Sequence, residues 1–268
     1  METEKDIQIV REHYNANVAA EWGRIADRPE FLLTCRMLDR YIKSGDKILD
    51  IGGGPGRYSF YLAKKGGDVT LFDLSPENIK FAEEKSVELK LPIKTICGDA
   101  RAADKLADGQ FDHVLIMGPM YHLLEESDRI TAMNAALNLL KPGGKIFVSF
   151  ISTFAGMIFG MKDLPGFVSL PEEEIFIEGV LSHKSFGCDG FTKVFFMEQS
   201  EILPFMSKFP LEKLHLFGQE SILSPCEKNI MTQPRETVSL WLDLCEKLWE
   251  REDLLSWAEH LMYVGKKI

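Results

Sequence analysis

The sequence contains no run of about 18 uncharged apolar residues, the length that a membrane-spanning helix requires. Its first residues, Met1 to Asp6, are mostly charged and lead into no apolar segment, so we predict no secretory signal. The five cysteines form an odd, scattered set without a CxxC pair, which argues against a disulfide framework and against a zinc site. We therefore expect a cytosolic protein that binds no metal.

Basic residues are also scarce relative to acidic ones. The chain has 31 Lys and Arg against 41 Asp and Glu, which gives a formal net charge of −10 over 268 residues. Phosphate binding draws on clustered Lys and Arg, so we expect neither a nucleic acid nor an anionic membrane as partner. A small or cationic partner agrees better with this charge. With 45% hydrophobic and 27% charged residues, the composition is that of an ordinary globular protein.

Hydrophobic periodicity divides the chain into a helical start and a longer α/β region. Apolar residues recur at helical spacing through residues 1–45, on both sides of Pro29, and predict an N-terminal helical cap. From residue 46 onward short apolar runs alternate with helical stretches, the rhythm of a parallel sheet covered on both faces. Strands are predicted at residues 47–51, 68–72, 93–97, 113–117 and 145–150, with helices at 58–65, 76–89 and 126–140.

The alternation is interrupted twice after the fifth strand. Residues 151–200 are rich in Phe, Met and Gly and predict an insertion, with a helix opening near Glu172. A helix near 200–208 and strands near 211–217 and 260–265 restore the pattern, and a second insertion at about 219–258 carries a helix over 236–257. Lys141-Pro142-Gly143-Gly144 is predicted to stop the helix before the fifth strand. The fold class is therefore α/β, with a doubly wound, mostly parallel sheet.

The clearest motif is the glycine loop after the first strand, Gly52-Gly53-Gly54-Pro55-Gly56. Glycines there let the backbone approach a ligand closely and present amides at the start of a helix. The G-x-G-x-G spacing departs from the dinucleotide fingerprint, which requires Gly or Ala where this chain has Arg57. Asp50, just before the loop, would repel a pyrophosphate but suits a sulfonium or an ammonium. A tight turn without any ligand is the alternative.

Two more carboxylates end the next two predicted strands. Asp73 follows the second strand, where a carboxylate can accept hydrogen bonds from both hydroxyls of a ribose. Its alternative role is an N-cap for the next helix, for which Ser75 is better placed. Asp99 follows the third strand and, beside Ala100, can pair with the edge of an adenine, or else form an Asx turn. Ligands bind at the carboxyl ends of strands in open α/β sheets, so the three aspartates predict one ligand site.

With Phe111-Asp112-His113-Val114-Leu115 and Leu140-Lys141-Pro142-Gly143-Gly144, these motifs resemble the class I S-adenosylmethionine (SAM) dependent methyltransferases, particularly the type 11 and type 25 domain groups. The resemblance covers residues 45–150. It implies a seven-stranded sheet in the order 3-2-1-4-5-7-6 with an antiparallel last strand, and it makes residues 46–268 a SAM-binding methyltransferase domain. The implied reaction is methyl transfer from SAM to an O, N, S or C atom, most simply of a small molecule.

The same resemblance assigns the parts of SAM to residues of this sequence. The methionine part would lie against Asp50 and the loop glycines Gly52, Gly53, Gly54 and Gly56. The ribose would lie against Asp73, with Leu74 beside it, and the adenine against Asp99 and Ala100. Met117 and Gly118, which end the fourth strand, would line the sulfonium region.

Tyr121 and His122 follow the fourth strand and face the expected cleft. His122 has an ordinary pKa near neutrality and is a candidate general base for a hydroxyl, thiol or ammonium nucleophile. The alternative is packing, because methyl transfer from a sulfonium needs chiefly in-line positioning and desolvation. Tyr14, on the first helix, is a candidate cofactor contact through a cation–π interaction, with ordinary core packing as the alternative.

Other functions stay open on the residues alone. A transfer RNA or protein methyltransferase would recruit its substrate through a local patch, and a non-catalytic domain would only bind SAM. A NAD-dependent oxidoreductase is disfavoured by Asp50 and Arg57. The segment Gly118–Leu123 lacks the Asn/Asp-Pro-Pro-Tyr motif of amino-methyltransferases, which disfavours methylation of a base nitrogen. The Phe and Met residues of 151–200 would either line an adaptable acceptor pocket or simply pack together.

Overall fold

A computed structural model describes residues 2–268. Three helices precede the first strand, namely α1 (Glu2–Ala16), α2 (Val18–Arg24) and α3 (Pro29–Tyr41). Pro29 occupies the first position of α3, where the missing N–H is not needed for an intrahelical hydrogen bond. Ile7 and Val10 of α1 and Leu33 of α3 are buried, so the periodicity that predicted these helices corresponds to their packed faces.

Within residues 2–268 the rest of the chain forms nine strands and nine further α-helices joined by loops and short 3₁₀ turns. The strands are β1 (Lys47–Ile51), β2 (Asp68–Asp73), β3 (Lys94–Cys97), β4 (Phe111–Ile116), β5 (Leu140–Ser152), β6 (Phe186–Asp189), β7 (Lys193–Met197), β8 (Leu211–Gly218) and β9 (His260–Lys267). The helices are α4 (Arg57–Lys64), α5 (Pro76–Leu89), α6 (Ala103–Leu106), α7 (Glu126–Leu139), α8 (Ala155–Asp163), α9 (Glu174–Leu181), α10 (Gln199–Met206), α11 (Glu227–Met231) and α12 (Arg235–Leu248).

The sheet has the predicted order. Strands β3, β2, β1, β4 and β5 are parallel neighbours, and β9 runs antiparallel between β5 and β8. The predicted order counts seven strands and leaves out the β6–β7 hairpin. In that count β8 is strand 6 and β9 is strand 7. The order 3-2-1-4-5-7-6 with an antiparallel last strand is therefore confirmed. Because β1, β2, β3 and β4 are parallel and in register, the loops after them meet at one edge of the sheet.

Both faces of the sheet are covered, which explains why its strands are almost continuously apolar. Leu49 and Ile51 of β1 pack with β4 and α7 on one face. Ile48 of the same strand packs with α3, α4 and α12 on the other face. The alternation follows from the two-residue period of a strand.

Three details differ from the prediction. Residues 186–197 form the hairpin β6–β7, which turns at residues 190–192 and pairs through β7 with Ile151 and Ser152 at the end of β5. Helix α7 ends before Pro142 as predicted, but residues 141–144 belong to β5, which begins at Leu140 with a bulge opposite β4. Helix α12 ends at Leu248 rather than near 257, because the Trp249 carbonyl accepts the Gly218 N–H of β8 and a 3₁₀ turn follows.

No helix in the described part of the chain combines the length and the apolar character needed to cross a bilayer. The division into an N-terminal cap and a methyltransferase domain stays a prediction. Helices α1 and α2 contact α5, and α3 contacts α12, so the helical start is packed on the α/β region.

Candidate functional site

A cleft of about 1150 Å³, a volume that includes the solvent at its mouth, opens at the carboxyl ends of β1, β2 and β4. Loops after these strands form its floor, and helices α1, α2 and α3 form part of its wall. Thirteen of the fourteen residues that the sequence marked border this cleft: Tyr14, Asp50, Gly52, Gly53, Gly54, Asp73, Leu74, Asp99, Ala100, Met117, Gly118, Tyr121 and His122. The fold thus brings together residues that are up to 108 positions apart in the chain.

The glycine loop is tightly packed against the ends of β1 and β2. The Gly52 N–H donates to the Phe72 carbonyl at 2.7 Å, and the Gly52 φ of +73° lies in the left-handed region that favours glycine. A Cβ on Gly53 would lie 2.4 Å from Leu71 Cδ1 and 2.6 Å from Asp50 Oδ2. Gly56 is the marked residue that does not border the cleft. It precedes α4 at the N-cap position, also at positive φ.

Asp50 is fully buried at the end of β1. The Ser59 hydroxyl donates to Asp50 Oδ2 at 2.7 Å, whereas Oδ1 is buried without any hydrogen-bond partner. Burial raises the pKa of this carboxyl to about 6. Burying a carboxylate oxygen without a hydrogen-bond partner costs free energy. A hydrogen-bond donor or a cation bound next to Oδ1 would recover part of it.

Asp73, at the end of β2, organises the loop beside it. Its Oδ2 accepts the Gly54 N–H at 2.8 Å, and its Oδ1 accepts the Ser75 N–H at 2.9 Å and the Asn78 amide at 3.1 Å. Burial nevertheless raises its pKa above the ordinary value. Ser75 is the N-cap of α5, since its hydroxyl accepts the Asn78 N–H. Asp73 is therefore not the cap. Its Oδ1 already accepts two hydrogen bonds, whereas its Oδ2 accepts one and keeps room for a further donor.

Asp99 lies after β3 at the start of a 3₁₀ turn. Its Oδ1 accepts the Arg101 N–H at 2.9 Å, which is the Asx turn named above as the alternative. The Arg101 guanidinium also binds the same carboxylate, with Nη2 at 2.7 Å from Oδ2. Asp99 and Ala100 both border the cleft, so the turn coexists with a position at the site.

The loop after β4 closes the floor of the cleft. A Cβ on Gly118 would lie 2.9 Å from the Gly52 carbonyl oxygen, and a Cβ on Gly52 would lie 2.5 Å from Pro119 Cδ. Only glycine at both positions lets the loops after β1 and β4 come this close. Met117, just after β4, and Tyr58, at the start of α4, belong to the same apolar cluster, and both border the cleft.

His122 is held on both ring nitrogens. Nδ1 lies 2.8 Å from the Lys193 carbonyl, which can only accept, so Nδ1 carries the proton. Nε2 is then the acceptor for the Tyr14 hydroxyl at 2.7 Å. Burial lowers the pKa of His122 to about 4 and raises that of Tyr14 well above its ordinary value. The pair joins α1 to the loop after β4 and to β7, and it keeps the imidazole neutral at physiological pH.

Sequence reasoning missed several residues of the cleft wall. Glu21, Arg24 and Glu30 come from α2 and α3, and Tyr58 from α4. Glu30 shares a helix face with the buried Leu33, Thr34 and Met37, so a charge on that apolar face was the available signal. Ser149, in the middle of β5, and Gln219, directly after β8, are buried and also border the cleft. Nothing in the spacing of residues around them predicted a place in the site.

The insertion 151–200 contributes no lining residue within the described chain. Phe167 and Phe176 pack with Phe186 and Phe196 in a separate cluster, so packing accounts for these four aromatic residues. Phe159 and Met161 are exposed instead. Of the two alternatives for this segment, packing describes these four residues, because the segment folds their side chains onto its own helices and hairpin.

The sheet order and the cleft at its carboxyl edge define a protein with the class I SAM-dependent methyltransferase fold. Residues 48–144 match the family described as a methyltransferase domain, which confirms the predicted resemblance for this part of the chain. Ubiquinone biosynthesis O-methyltransferase of Xylella fastidiosa (strain 9a5c) is 36% identical over 115 residues, which are 41% of this chain and 43% of that protein. The match thus spans less than half the length of this relative.

Solved structures resemble nearly the whole chain at low sequence identity. A 1,6-didemethyltoxoflavin-N1-methyltransferase of Burkholderia thailandensis superposes with a TM-score of 0.60 at 12% identity, covering 99% of this chain and 90% of its own. Magnesium protoporphyrin IX methyltransferase of Synechocystis PCC 6803, with bound S-adenosylhomocysteine (SAH), gives 0.59 at 13% identity, covering 98% and 100%. Likeness at this identity concerns the fold.

Proposed function

We propose that this protein transfers a methyl group from SAM to a small molecule. The observation that carries the proposal is the unpartnered Oδ1 of Asp50, buried beneath the glycine loop. An ammonium group would meet this need, and the methionine part of SAM has one. The relatives and the structural neighbours named above include methyltransferases, which supports the same reading.

The remaining cleft residues fit the other parts of SAM. Asp73 Oδ2 has acceptor capacity left for a ribose hydroxyl, with Leu74 alongside. Asp99 and Ala100 border the cleft, and we assign them to the adenine. Met117 and Gly118 lie where the sulfonium is expected. Gly52, Gly53 and Gly54 keep the floor free of side chains, and Gly56 acts indirectly by starting α4.

SAM would supply an activated methyl group, so the chain itself has to orient the donor and keep water away from it. Helices α1 and α2 cover part of the cleft, and Tyr14 is fixed there by His122. We propose that His122 and Tyr121 position this cover and the acceptor. His122 is unsuited to remove a proton while its Nε2 lone pair accepts the Tyr14 hydroxyl and its pKa is about 4.

Binding of SAM and SAH by isothermal titration calorimetry tests the proposal. Asp73→Ala should weaken both by at least about tenfold, the effect of losing one hydrogen bond to a charged group. Asp68→Ala at the exposed start of the same strand is the matched control and should leave both affinities unchanged. Melting temperatures of the variants show whether the fold survives. If the wild-type protein binds neither compound at millimolar concentration, the proposal fails.

We also propose that the protein is located in the cytosol and that its methyl acceptor is a small molecule. All five cysteines are free, as suits the reducing cytosol. A small-molecule acceptor agrees with the net charge of −10, which disfavours nucleic acid.

A further inference from the structure

The strand order places one more pair of cleft residues next to those assigned to SAM. The assigned aspartates and glycines lie at the ends of β3, β2, β1 and β4, which are neighbours in that order, and β5 is the next strand of the sheet. Ile116 of β4 pairs with Val148 of β5, so the residues that follow them, Met117 and Ser149, lie side by side. Ser149 also borders the cleft. It therefore lies beyond the expected position of the sulfonium, in the part of the cleft that SAM leaves free for an acceptor.

Ser149 is hydrogen-bonded to Gln219, the residue directly after β8. Both residues are 2% exposed and border the cleft. The Ser149 hydroxyl donates to Gln219 Oε1, and Gln219 Nε2 donates to Thr34 Oγ1 of α3 at 2.9 Å. The backbone N–H of Gln219 donates to the His260 carbonyl at 2.9 Å. The amide of Gln219 is therefore fixed at both its ends, at the border of the cleft.

This amide keeps unused hydrogen-bonding capacity. A side-chain amide has two N–H donors and two acceptor lone pairs. Within residues 2–268 the side-chain hydrogen bonds of Gln219 use one N–H and one lone pair, and the Ser149 oxygen accepts no hydrogen bond. Leaving nearly buried polar groups unpaired costs free energy. The pair therefore favours a ligand group that both accepts and donates a hydrogen bond.

The charges of the cleft lining are balanced apart from the aspartates assigned to SAM. Glu21 and Glu30 stand against Arg24 and Arg57. Arg24 binds both glutamates, with Nε 3.0 Å from Glu21 Oε2 and Nη1 3.3 Å from Glu30 Oε2. The lining thus offers a charged acceptor no net attraction, and burying a charge without a counterion is costly. An uncharged acceptor agrees best with this wall.

We propose that Ser149 and Gln219 form the acceptor subsite, and that it binds an uncharged hydroxyl group. The hydroxyl oxygen accepts the free N–H of Gln219, and the hydroxyl hydrogen is donated to the Ser149 oxygen. Other nucleophiles meet these conditions less well, because an amine is charged at neutral pH, a carboxylate is charged and only accepts, and a thiol bonds weakly. The inference rests on the proposed methyltransferase function and deepens it by naming the acceptor class.

The transfer to a hydroxyl balances without any further reactant. An oxygen lone pair of the acceptor attacks the methyl carbon of SAM, so an O–C bond forms while the S–C bond breaks and its electron pair goes to sulfur. The hydroxyl proton is released to water through the cleft mouth. The products are a methyl ether, that proton, and SAH with an uncharged sulfur.

Phenol is a suitable probe because it presents one hydroxyl on a small apolar body. It is titrated into protein saturated with SAH, which has no methyl group to transfer, and its binding is followed by ligand-observed NMR. Benzylammonium and benzoate are the cationic and anionic counterparts. We expect saturable binding of phenol and weaker binding of both charged compounds. Gln219→Leu should weaken the binding of phenol by about fivefold, as expected for one lost hydrogen bond.

Two more variants accompany Gln219→Leu. Ser149→Ala is the milder change and should weaken the binding of phenol about threefold. Gln233→Leu, at an exposed position, is the matched control and should bind phenol like the wild-type protein. Melting temperatures show which variants fold. SAH should bind all of them with wild-type affinity, since neither Ser149 nor Gln219 is assigned to SAM, whereas a merely structural role would weaken SAH and phenol together.

SAH is titrated first, so that absence of SAH binding by the wild-type protein counts against the methyltransferase proposal. If SAH binds but phenol does not, or phenol binds no better than benzoate and benzylammonium, the hydroxyl subsite is overturned. Equal phenol affinities of the wild-type, Gln219→Leu and Ser149→Ala proteins overturn it as well. If Gln219→Leu does not fold, the phenol affinity of Ser149→Ala decides.

Discussion

Asp50 allows a quantitative test of SAM binding, because its ionisation should control the affinity. Burial raises its pKa to about 6 from an ordinary value of 3.8. At 1.36 kcal/mol per pH unit, this rise costs the ionised, ligand-free protein about 3 kcal/mol. The sign follows from a raised carboxyl pKa: the cost is present above pH 6 and disappears as the carboxyl is protonated below it. A bound ammonium can recover part of this free energy.

The affinity for SAM should therefore fall as the pH falls through 6. With a pKa of about 6, roughly nine-tenths of Asp50 is protonated at pH 5 and nearly all is ionised at pH 7.5. If the ionised form binds the ammonium, the dissociation constant should rise about tenfold between pH 7.5 and pH 5. Isothermal titration with SAH at several pH values measures this directly, and binding near pH 6 should also release protons into the buffer.

Asp50→Asn separates the charge from the shape of the site. The variant should bind SAH weakly at every pH and lose the dependence between pH 5 and 7.5. Its own unfolding free energy at pH 7.5 should not decrease, because it removes an uncompensated buried charge. A wild-type dissociation constant that is flat over this range would refute the reasoning. So would an Asp50→Asn protein that keeps the full pH dependence.

Two further changes test the surroundings of the cleft. Tyr14→Phe leaves the buried Nε2 of His122 without a donor, so we expect a loss of about 1–2 kcal/mol in urea unfolding and a several-fold weaker SAH affinity. Tyr41→Phe removes a similar tyrosine–histidine hydrogen bond away from the cleft, so it should lower the free energy of unfolding without changing the SAH affinity. Equal SAH affinities of the two variants would contradict a role for Tyr14 in cofactor binding. For His260, burial opposes the charged form, but the neighbouring carboxylates outweigh it and raise the pKa to about 9. The protonated His260 should therefore add about 3 kcal/mol to the free energy of unfolding below about pH 6.5, and this stabilisation should be lost as the pH rises through about 9. In urea unfolding at several pH values, His260→Gln should remove this pH dependence. A pH dependence that is the same in the variant and the wild-type protein would contradict the raised pKa of His260.

Much of the fold was predictable because it is recorded in local patterns. The boundaries of α5 follow from Ser75 and Pro76 at its start, and β1 follows from an apolar run that ends at the glycine loop. The hairpin β6–β7 was not predicted, since two short strands of four and five residues are hard to separate from irregular chain by periodicity. The bulged start of β5 depends on its pairing with β4, which no local window contains.

The candidate site was predictable where its residues follow strand ends. Asp50, Asp73 and Asp99 could be grouped because parallel strands bring their carboxyl ends to one edge. Glu30 and Tyr58 could not be grouped with them, since both lie on helices and reach the cleft only through helix packing. The pairing of Tyr14 with His122 spans 108 positions and was likewise invisible, although each residue alone had been marked.

The sequence by itself determined the class of fold and indicated SAM as the methyl donor, because strand rhythm, glycine spacing and the residue before the loop are local properties of the chain. Only the tertiary structure decided which atoms are left without partners and which are already used. Asp50 Oδ1 and the Tyr58 hydroxyl are open, whereas His122 is occupied on both nitrogens. The physical reason is that burial and hydrogen bonding are set jointly by distant segments, so the ionisation and availability of a side chain emerge only once those segments pack.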